Sequence, residues 1–123
     1  MLQPSVPAWF EIPAADMDRA VRFYESLLGA TLIREEMGAM ALAVFPHGQG
    51  LPSGAVVRSQ IHQPSESGSV VYLNVADIRP LLARVPEAGG SVLLPLQKLP
   101  DENGVFAQIR DSEGNRVGVY SRA

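Results

Sequence analysis

WFEIPAADMDRAVRFYESLLG, residues 9–29, decides the fold because the chain contains a second copy of it. When the sequence is shifted by 61 residues, Asp16 aligns with Asp77 and Gly29 aligns with Gly90, with apolar residues aligned between them. Each copy passes from an alternating apolar run, through one aspartate, into apolar residues at helical spacing, and ends at a glycine. An internal duplication is the simplest explanation. Each copy therefore predicts a strand followed by a helix.

The residues around these two units predict three further strands in each half of the chain. Asp16 and Asp77 are expected helix N-caps, and alternation in the first strand turns Phe10 toward the first helix. Pro86 predicts that the second helix is short or ends loosely. DSEGN at 111–115 predicts a tight turn before the last strand. The sequence thus predicts an α+β fold built from two βαβββ repeats.

Composition and charge are typical of a packed globular domain. The 123 residues are 46% apolar and 19% charged, and a net charge of −3 is spread over both halves without a basic cluster. Nucleic-acid binding requires clustered Lys and Arg, so we expect no nucleic-acid partner. We predict one domain over residues 1–123, made of two modules, about 7–59 and 69–121, joined by a linker at 60–68.

The absence of cysteine limits the chemistry of the chain, and the absence of long apolar stretches limits its expected location. There is no cysteine, which excludes disulfides, thiolate metal sites and cysteine nucleophiles. The first ten residues lack the basic start and long apolar stretch of a signal peptide. No later run approaches the ~20 apolar residues of a membrane span. We therefore expect a cytoplasmic protein without a membrane partner.

Several motifs occur in a fixed order along the chain. The first helix carries D, RA, FY and LG in sequence, GG follows the second helix, and DSEGN precedes the last strand. In this order the chain resembles the vicinal oxygen chelate superfamily, which includes glyoxalase I, extradiol dioxygenases and bleomycin-resistance proteins. WFEIPAAD, SGAVVR, VYLNVADI and DSEGNRVGVY are most similar to small bacterial glyoxalase-related proteins. The resemblance implies that the two modules form a cup-shaped half-barrel sheet, the vicinal oxygen chelate fold, with the ligand in the cup.

Enzymes of that superfamily hold a divalent metal with His, Gln or Glu on the first and last strands of each module. The resemblance carries these positions over to Trp9, Val57, Val70 and Gly118, none of which offers a lone pair to a metal. A shift of one residue along the strands does not supply a His and Glu set either. We expect no metal at this site and no cofactor. Binding of a divalent metal remains an alternative only at a displaced site.

Alternation along the strands predicts which side chains face the cup and bind a ligand. The predicted ligand-binding residues are Trp9, Glu11, Phe45, Tyr72, Asn74, Phe106, Gln108, Arg110 and Tyr120. This mixture of aromatic and polar groups is typical of a small-molecule pocket. Small residues on the same face, namely Ala41, Ala43 and Gly118, are expected to leave room for the ligand.

Four side chains leave alternatives open. Glu11 and Arg110 could instead form an ion pair that closes a packed barrel. His47 and His62 fall in predicted loops, where a solvent-exposed histidine needs no functional explanation.

Three functional hypotheses follow from the sequence. The first is a metal-independent protein that binds a small organic molecule in the cup. The second is a glyoxalase-like lyase or isomerase that uses a displaced metal, or Glu11 as a catalytic general base. The third is a structural or regulatory dimer with a filled barrel. We expect a homodimer, because half-barrels leave exposed strand edges that a second copy covers.

Overall fold

The computed structural model describes residues 7–123, which form two α-helices and eight strands in the predicted order. The elements are β1 (Phe10–Pro13), α1 (Met17–Leu28), β2 (Ile33–Met37), β3 (Met40–Val44), β4 (Gly54–Arg58), β5 (Tyr72–Asn74), α2 (Ile78–Ala88), β6 (Ser91–Lys98), β7 (Val105–Arg110) and β8 (Arg116–Ser121). We refer to β1 through β4 with α1 as module 1, and to β5 through β8 with α2 as module 2. The predicted α+β fold of two βαβββ modules is confirmed.

Each module forms one four-stranded mixed sheet, and the two sheets have the same strand order. The first sheet runs β1-β4-β3-β2 and the second runs β5-β8-β7-β6. β1 pairs in parallel with β4, and β5 pairs in parallel with β8, whereas the other pairs are antiparallel. Within the described part of the chain, β1, β2, β5 and β6 therefore pair on one side only and are edge strands.

The first helix begins and ends at the predicted residues. Asp16 Oδ1 accepts a hydrogen bond from the Arg19 N–H at 3.1 Å, and Gly29 closes the helix with a φ of 63°. Phe23 adds to the predicted apolar stripe, because Gly90 of module 2 leaves space for its ring. A Cβ at Gly90 would lie 2.8 Å from the Phe23 ring. The buried face consists of Met17, Ala20, Val21, Phe23, Tyr24 and Leu27.

The second helix begins at Asp77, whose Oδ1 accepts a hydrogen bond from the Arg79 N–H at 3.0 Å. Pro86, which we expected to shorten the helix or loosen its end, lies inside it, and the helix continues to Ala88. The position is tolerated because Pro86 is in the last turn, where its missing N–H removes one hydrogen bond. No helix among residues 7–123 is long and apolar enough to cross a membrane.

Both modules contribute to one hydrophobic core on the helix side of the two sheets. The two helices pack against each other, and Arg84 of α2 donates to the Leu27 carbonyl of α1 at 2.8 Å. The strand residues that point into this core include Ala43, Val56, Val105, Ala107, Ile109, Val117 and Val119. The two modules are therefore joined by a shared interior.

Phe45, Ala41 and Ala43 also lie on the helix side, so their predicted place on the ligand-facing side is wrong. Ala43 pairs with Val56, whose side chain is in the core. Phe45 is 6% exposed, and its ring centroid lies 5.4 Å from that of Tyr24. The error has a physical cause: residues 40–45 are apolar on both faces, so alternation gives no contrast between them.

The predicted tight turn at 111–115 is also a junction between the modules. Asp111 is fully buried and accepts a hydrogen bond from Tyr24 Oη of α1 at 2.6 Å. The same carboxylate accepts the backbone N–H groups of Glu113 and Asn115, each at 2.9 Å. Asn115 Nδ2 in turn donates to the Pro13 carbonyl of β1 at 2.7 Å. Burial, together with Asp111, raises the pKa of Tyr24 well above its usual value.

Glu113 of this turn supports the start of α1. Its fully buried carboxylate accepts the backbone N–H groups of Ala15 and Asp16 at 2.9 and 2.8 Å. It also forms a salt bridge with Arg19 at 2.7 Å. Burial by itself raises the pKa of Glu113, but the hydrogen bonds from Arg19, the backbone and Ser112 outweigh it and hold the pKa below its ordinary value. A side chain of module 2 thus satisfies unpaired donors at the N-terminus of a module 1 helix.

Candidate ligand site

Strand alternation leaves one face of each sheet away from the helices. We call these the first and second open faces. The first open face carries Trp9, Glu11, Leu42, Val44, Ala55 and Val57. The second open face carries Tyr72, Asn74, Phe106, Gln108, Arg110, Arg116, Gly118 and Tyr120.

The centre of the first open face is apolar and closely packed. Leu42, Val44, Ala55 and Val57 form a cluster of their own, in which each residue is at most 7% exposed. These side chains bring no hydrogen-bonding group to the face. Its polar groups lie instead at the β1 edge.

Glu11 at that edge is held by two partners. Trp9 Nε1 donates to Glu11 Oε2 at 3.2 Å, and His62 Nε2 lies 2.7 Å from Glu11 Oε1. The other ring nitrogen of His62 lies 2.6 Å from Ser59 Oγ. The His62 hydrogen bond lowers the pKa of Glu11, with help from Trp9 and against the effect of burial.

The structure excludes two of the alternatives that the sequence left open. The His62 side chain is only 12% exposed, because the segment after β4 folds back onto β1 and pairs the ring with Glu11. Glu11 and Arg110 do not form an ion pair, because Arg110 binds Glu66 at 3.0 Å. His47 is exposed, as expected, with Nδ1 lying 2.8 Å from the Gly50 carbonyl oxygen. A carboxylate with a lowered pKa is a weak base near neutral pH, so this geometry does not favour general-base catalysis by Glu11.

The second open face contains an aromatic pocket of about 340 Å³, lined by Tyr72, Leu99, Phe106 and Tyr120. Phe106 and Tyr120 are direct cross-strand partners on β7 and β8. The Tyr72 ring meets Phe106 edge-to-face, with centroids 6.0 Å apart. Tyr72 is 42% exposed, so the pocket opens to solvent. Tyr120 is held in place by its hydroxyl, which donates to the Asn103 carbonyl at 2.7 Å.

Beside this pocket the face becomes polar. Gln108 Nε2 donates to Tyr72 Oη at 2.7 Å, and Arg116 Nη1 donates to Gln108 Oε1 at 2.8 Å. Arg110, the cross-strand partner of Arg116, forms the salt bridge with Glu66. The aromatic pocket and Arg116 are therefore connected through one chain of hydrogen bonds, and Arg110 lies beside Arg116.

A larger cavity of about 710 Å³ lies between the modules, and we call it the seam cavity. Residues 70–76 along β5 form one wall, and Phe10, Leu28 and Phe45 are among the residues of the opposite wall. Tyr72 and Asn74 are among the lining residues, so the seam cavity and the aromatic pocket share Tyr72. Both spaces have mainly apolar walls, but the aromatic pocket also adjoins a hydrogen-bonding network. An apolar pocket with a few polar groups beside it is typical of a specific ligand site.

The residues at the positions where the family resemblance implies metal ligands do not fit a divalent metal. Val57 belongs to the buried apolar cluster, and the indole of Trp9 is a donor. At Gly118 a Cβ would lie 2.3 Å from the Tyr72 ring, so this ring fills the space that a ligating side chain would need. Among residues 7–123, no three His, Cys, Asp or Glu side chains are grouped as a metal site requires.

The structure therefore brings Tyr72, Phe106, Gln108, Arg110 and Tyr120 together on one face, with Asn74 at its edge. Trp9 and Glu11 lie on the other sheet, and Phe45 is in the core. Sequence reasoning missed Arg116, although alternation from Gly118 places it on the same face. It also missed Leu99, Glu66 and Ser59, for which the loop sequences gave no periodic signal.

Comparison with known proteins agrees with the family resemblance found in the sequence. The family described as Glyoxalase/Bleomycin resistance protein/Dioxygenase superfamily matches residues 7–119. A glyoxylase-like domain-containing protein from Didymella fabae is 30% identical over 116 residues, which cover 91% of this chain and 90% of the relative.

Solved structures share the fold. Glyoxalase I from Zea mays matches with a TM-score of 0.70 and 19% identity, over 94% of this chain and 45% of the maize chain. A glyoxalase/bleomycin resistance protein from Albidiferax ferrireducens matches with a TM-score of 0.67 and 17% identity, over 97% and 100% of the two chains. This chain thus spans less than half of the maize enzyme. At these identities the likeness shows the fold alone.

Proposed function

The chain belongs to the glyoxalase/bleomycin resistance protein/dioxygenase superfamily, and from this premise we propose that it binds a small organic molecule on its second open face without a metal. The observation that carries the proposal is the aromatic pocket of Tyr72, Leu99, Phe106 and Tyr120. Its volume of about 340 Å³ lies at the small end of the range for ligand pockets.

The position of Tyr72 supports binding in place of metal chemistry. Its ring lies on Gly118, where the superfamily's metal enzymes carry a ligand, and its hydroxyl points to Gln108. An aromatic ring at that position supplies apolar contact area and a hydrogen-bonding group to a bound molecule. The ligand would therefore contact the side chains of this site directly, and not through a metal ion.

A binding role accounts for the site better than catalysis by Glu11. The Glu11 carboxylate is on the other sheet, it is paired with His62, and its pKa is lowered. A protein with a filled barrel is less consistent with the solvent-open pocket beside Tyr72.

The test is a fluorescence titration with the neutral apolar probe N-phenyl-1-naphthylamine in buffer containing EDTA. We expect saturable binding to the wild-type protein, and about tenfold weaker binding to Phe106→Ala, because one ring of the pocket is lost. Leu51→Ala is the matched control, since Leu51 is an apolar residue that is 92% exposed and does not line the pocket. The proposal is rejected if the wild type shows no saturable binding, or if both variants bind as the wild type does.

A further inference from the structure

The second open face changes in character along β7 and β8 in three steps. Phe106 and Tyr120 form an aromatic row, Gln108 and Gly118 form the middle row with the Tyr72 ring over it, and the last row is Arg110 with Arg116. Rows two residues apart are separated by about 6.6 Å along a strand, so the aromatic row and the arginine row are about 13 Å apart. Arginine side chains are long enough to shorten this distance, and Arg116 already reaches Gln108.

The arginine row carries more positive than negative charge. Arg110 Nε donates to Glu66 Oε2 at 3.0 Å, and Arg116 Nε donates to the Glu66 carbonyl oxygen at 3.3 Å. Within the described residues, no other carboxylate forms a salt bridge with either arginine. The row therefore holds two guanidinium groups and one carboxylate, which contacts Arg110, while Arg116 contacts the backbone carbonyl of the same residue.

Glu66 is not part of the sheet, because it lies on the segment between β4 and β5. The side chains of Arg110 and Glu66 are 49% and 43% exposed. An ion pair with this exposure is weak, so another anion can replace the carboxylate at little cost. Glu66 thus marks a position where the face binds an anionic oxygen.

We propose that the ligand of the second open face combines an aromatic or other apolar body with an anionic group, and that Glu66 occupies the place of this anionic group in the unliganded protein. This inference rests on the proposed binding function. The apolar body would lie among Tyr72, Phe106 and Tyr120. The anionic group would bind Arg110 and Arg116 after Glu66 moves away.

The test compares two probes that share an anilinonaphthalene body and differ in charge. 8-Anilino-1-naphthalenesulfonate carries a sulfonate, and N-phenyl-1-naphthylamine is neutral. We expect Arg110→Gln to weaken binding of the sulfonate probe about fivefold and to leave the neutral probe unchanged. Glu66→Gln should strengthen binding of the sulfonate probe about threefold, since it removes the competing anion. Arg22→Gln and Glu87→Gln, both exposed on helices, are charge-matched controls and should change neither probe.

The outcomes separate this inference from the binding function. If both probes bind and Phe106→Ala weakens both, but Arg110→Gln and Glu66→Gln leave the ratio of the two affinities unchanged, the anionic-ligand inference is overturned and the binding function stands. If neither probe depends on Phe106, the binding function fails and this inference fails with it.

Discussion

At the scale of single residues, Glu113 shows how one charge joins the two modules. Its carboxylate accepts two backbone N–H groups at the start of α1 and forms a salt bridge with Arg19. These interactions hold its pKa below the ordinary value even though burial opposes them. The charged form is therefore the form that stabilises the fold.

This coupling predicts how stability depends on pH. A carboxyl whose pKa is lower in the folded state stabilises the protein above its unfolded pKa of about 4.3, and the stabilisation is lost as the pH falls toward the folded pKa. Glu113→Gln should lower the free energy of unfolding at pH 7 by about 2 kcal/mol, because charged hydrogen bonds are lost. Urea denaturation at several pH values is the measurement. The variant should lose less stability than the wild type on acidification below about pH 5.

Glu35→Gln is the control for this experiment, since Glu35 lies exposed on β2. It should match the wild type at every pH. Equal acid sensitivity in Glu113→Gln and the wild type would show that Glu113 does not link the modules in this way.

At the scale of elements, each helix depends on an aspartate N-cap that the duplicated sequence supplies. Asp16 and Asp77 each accept a backbone N–H of the first turn, at 3.1 and 3.0 Å. The loss of such a cap is a local effect, so the remainder of the fold should persist.

Asp16→Ala and Asp77→Ala should each lower the free energy of unfolding by about 1 kcal/mol. Chemical denaturation measures both, with Ser26→Ala as the control because Ser26 is exposed within α1. An unchanged midpoint in either aspartate variant would contradict the capping role.

The strands differ in how well the sequence predicts which of their side chains face the site. β7 and β8 alternate clearly between apolar and polar residues, so the positions of Phe106, Gln108 and Arg110 on the open face followed from the sequence. Residues 40–45, which include β3, are apolar on both sides, so the predicted face of Phe45 is wrong. Glu66 and His62 make contacts between distant segments, and no local pattern encodes such contacts.

At the scale of the whole molecule, the two modules have the same strand order but carry different side chains on their open faces. The first open face is filled by Leu42, Val44, Ala55 and Val57, whereas the second carries the aromatic pocket and the arginines. The proposed ligand binding is therefore a property of module 2. The turn at 111–115 holds module 2 against module 1. The homodimer stays a prediction, for which the edge strands of the two sheets in the described residues, β1, β2, β5 and β6, are the physical reason.

The most direct test of a metal-independent ligand site is a crystal structure of the protein, purified without chelator, in complex with 8-anilino-1-naphthalenesulfonate. We predict that the naphthalene rings lie against Tyr72 and Phe106, that the sulfonate binds Arg110, and that no metal is present beside Gly118. Probe density in the seam cavity beside Phe45, or a metal ion bound between the strands of either module, would contradict the account.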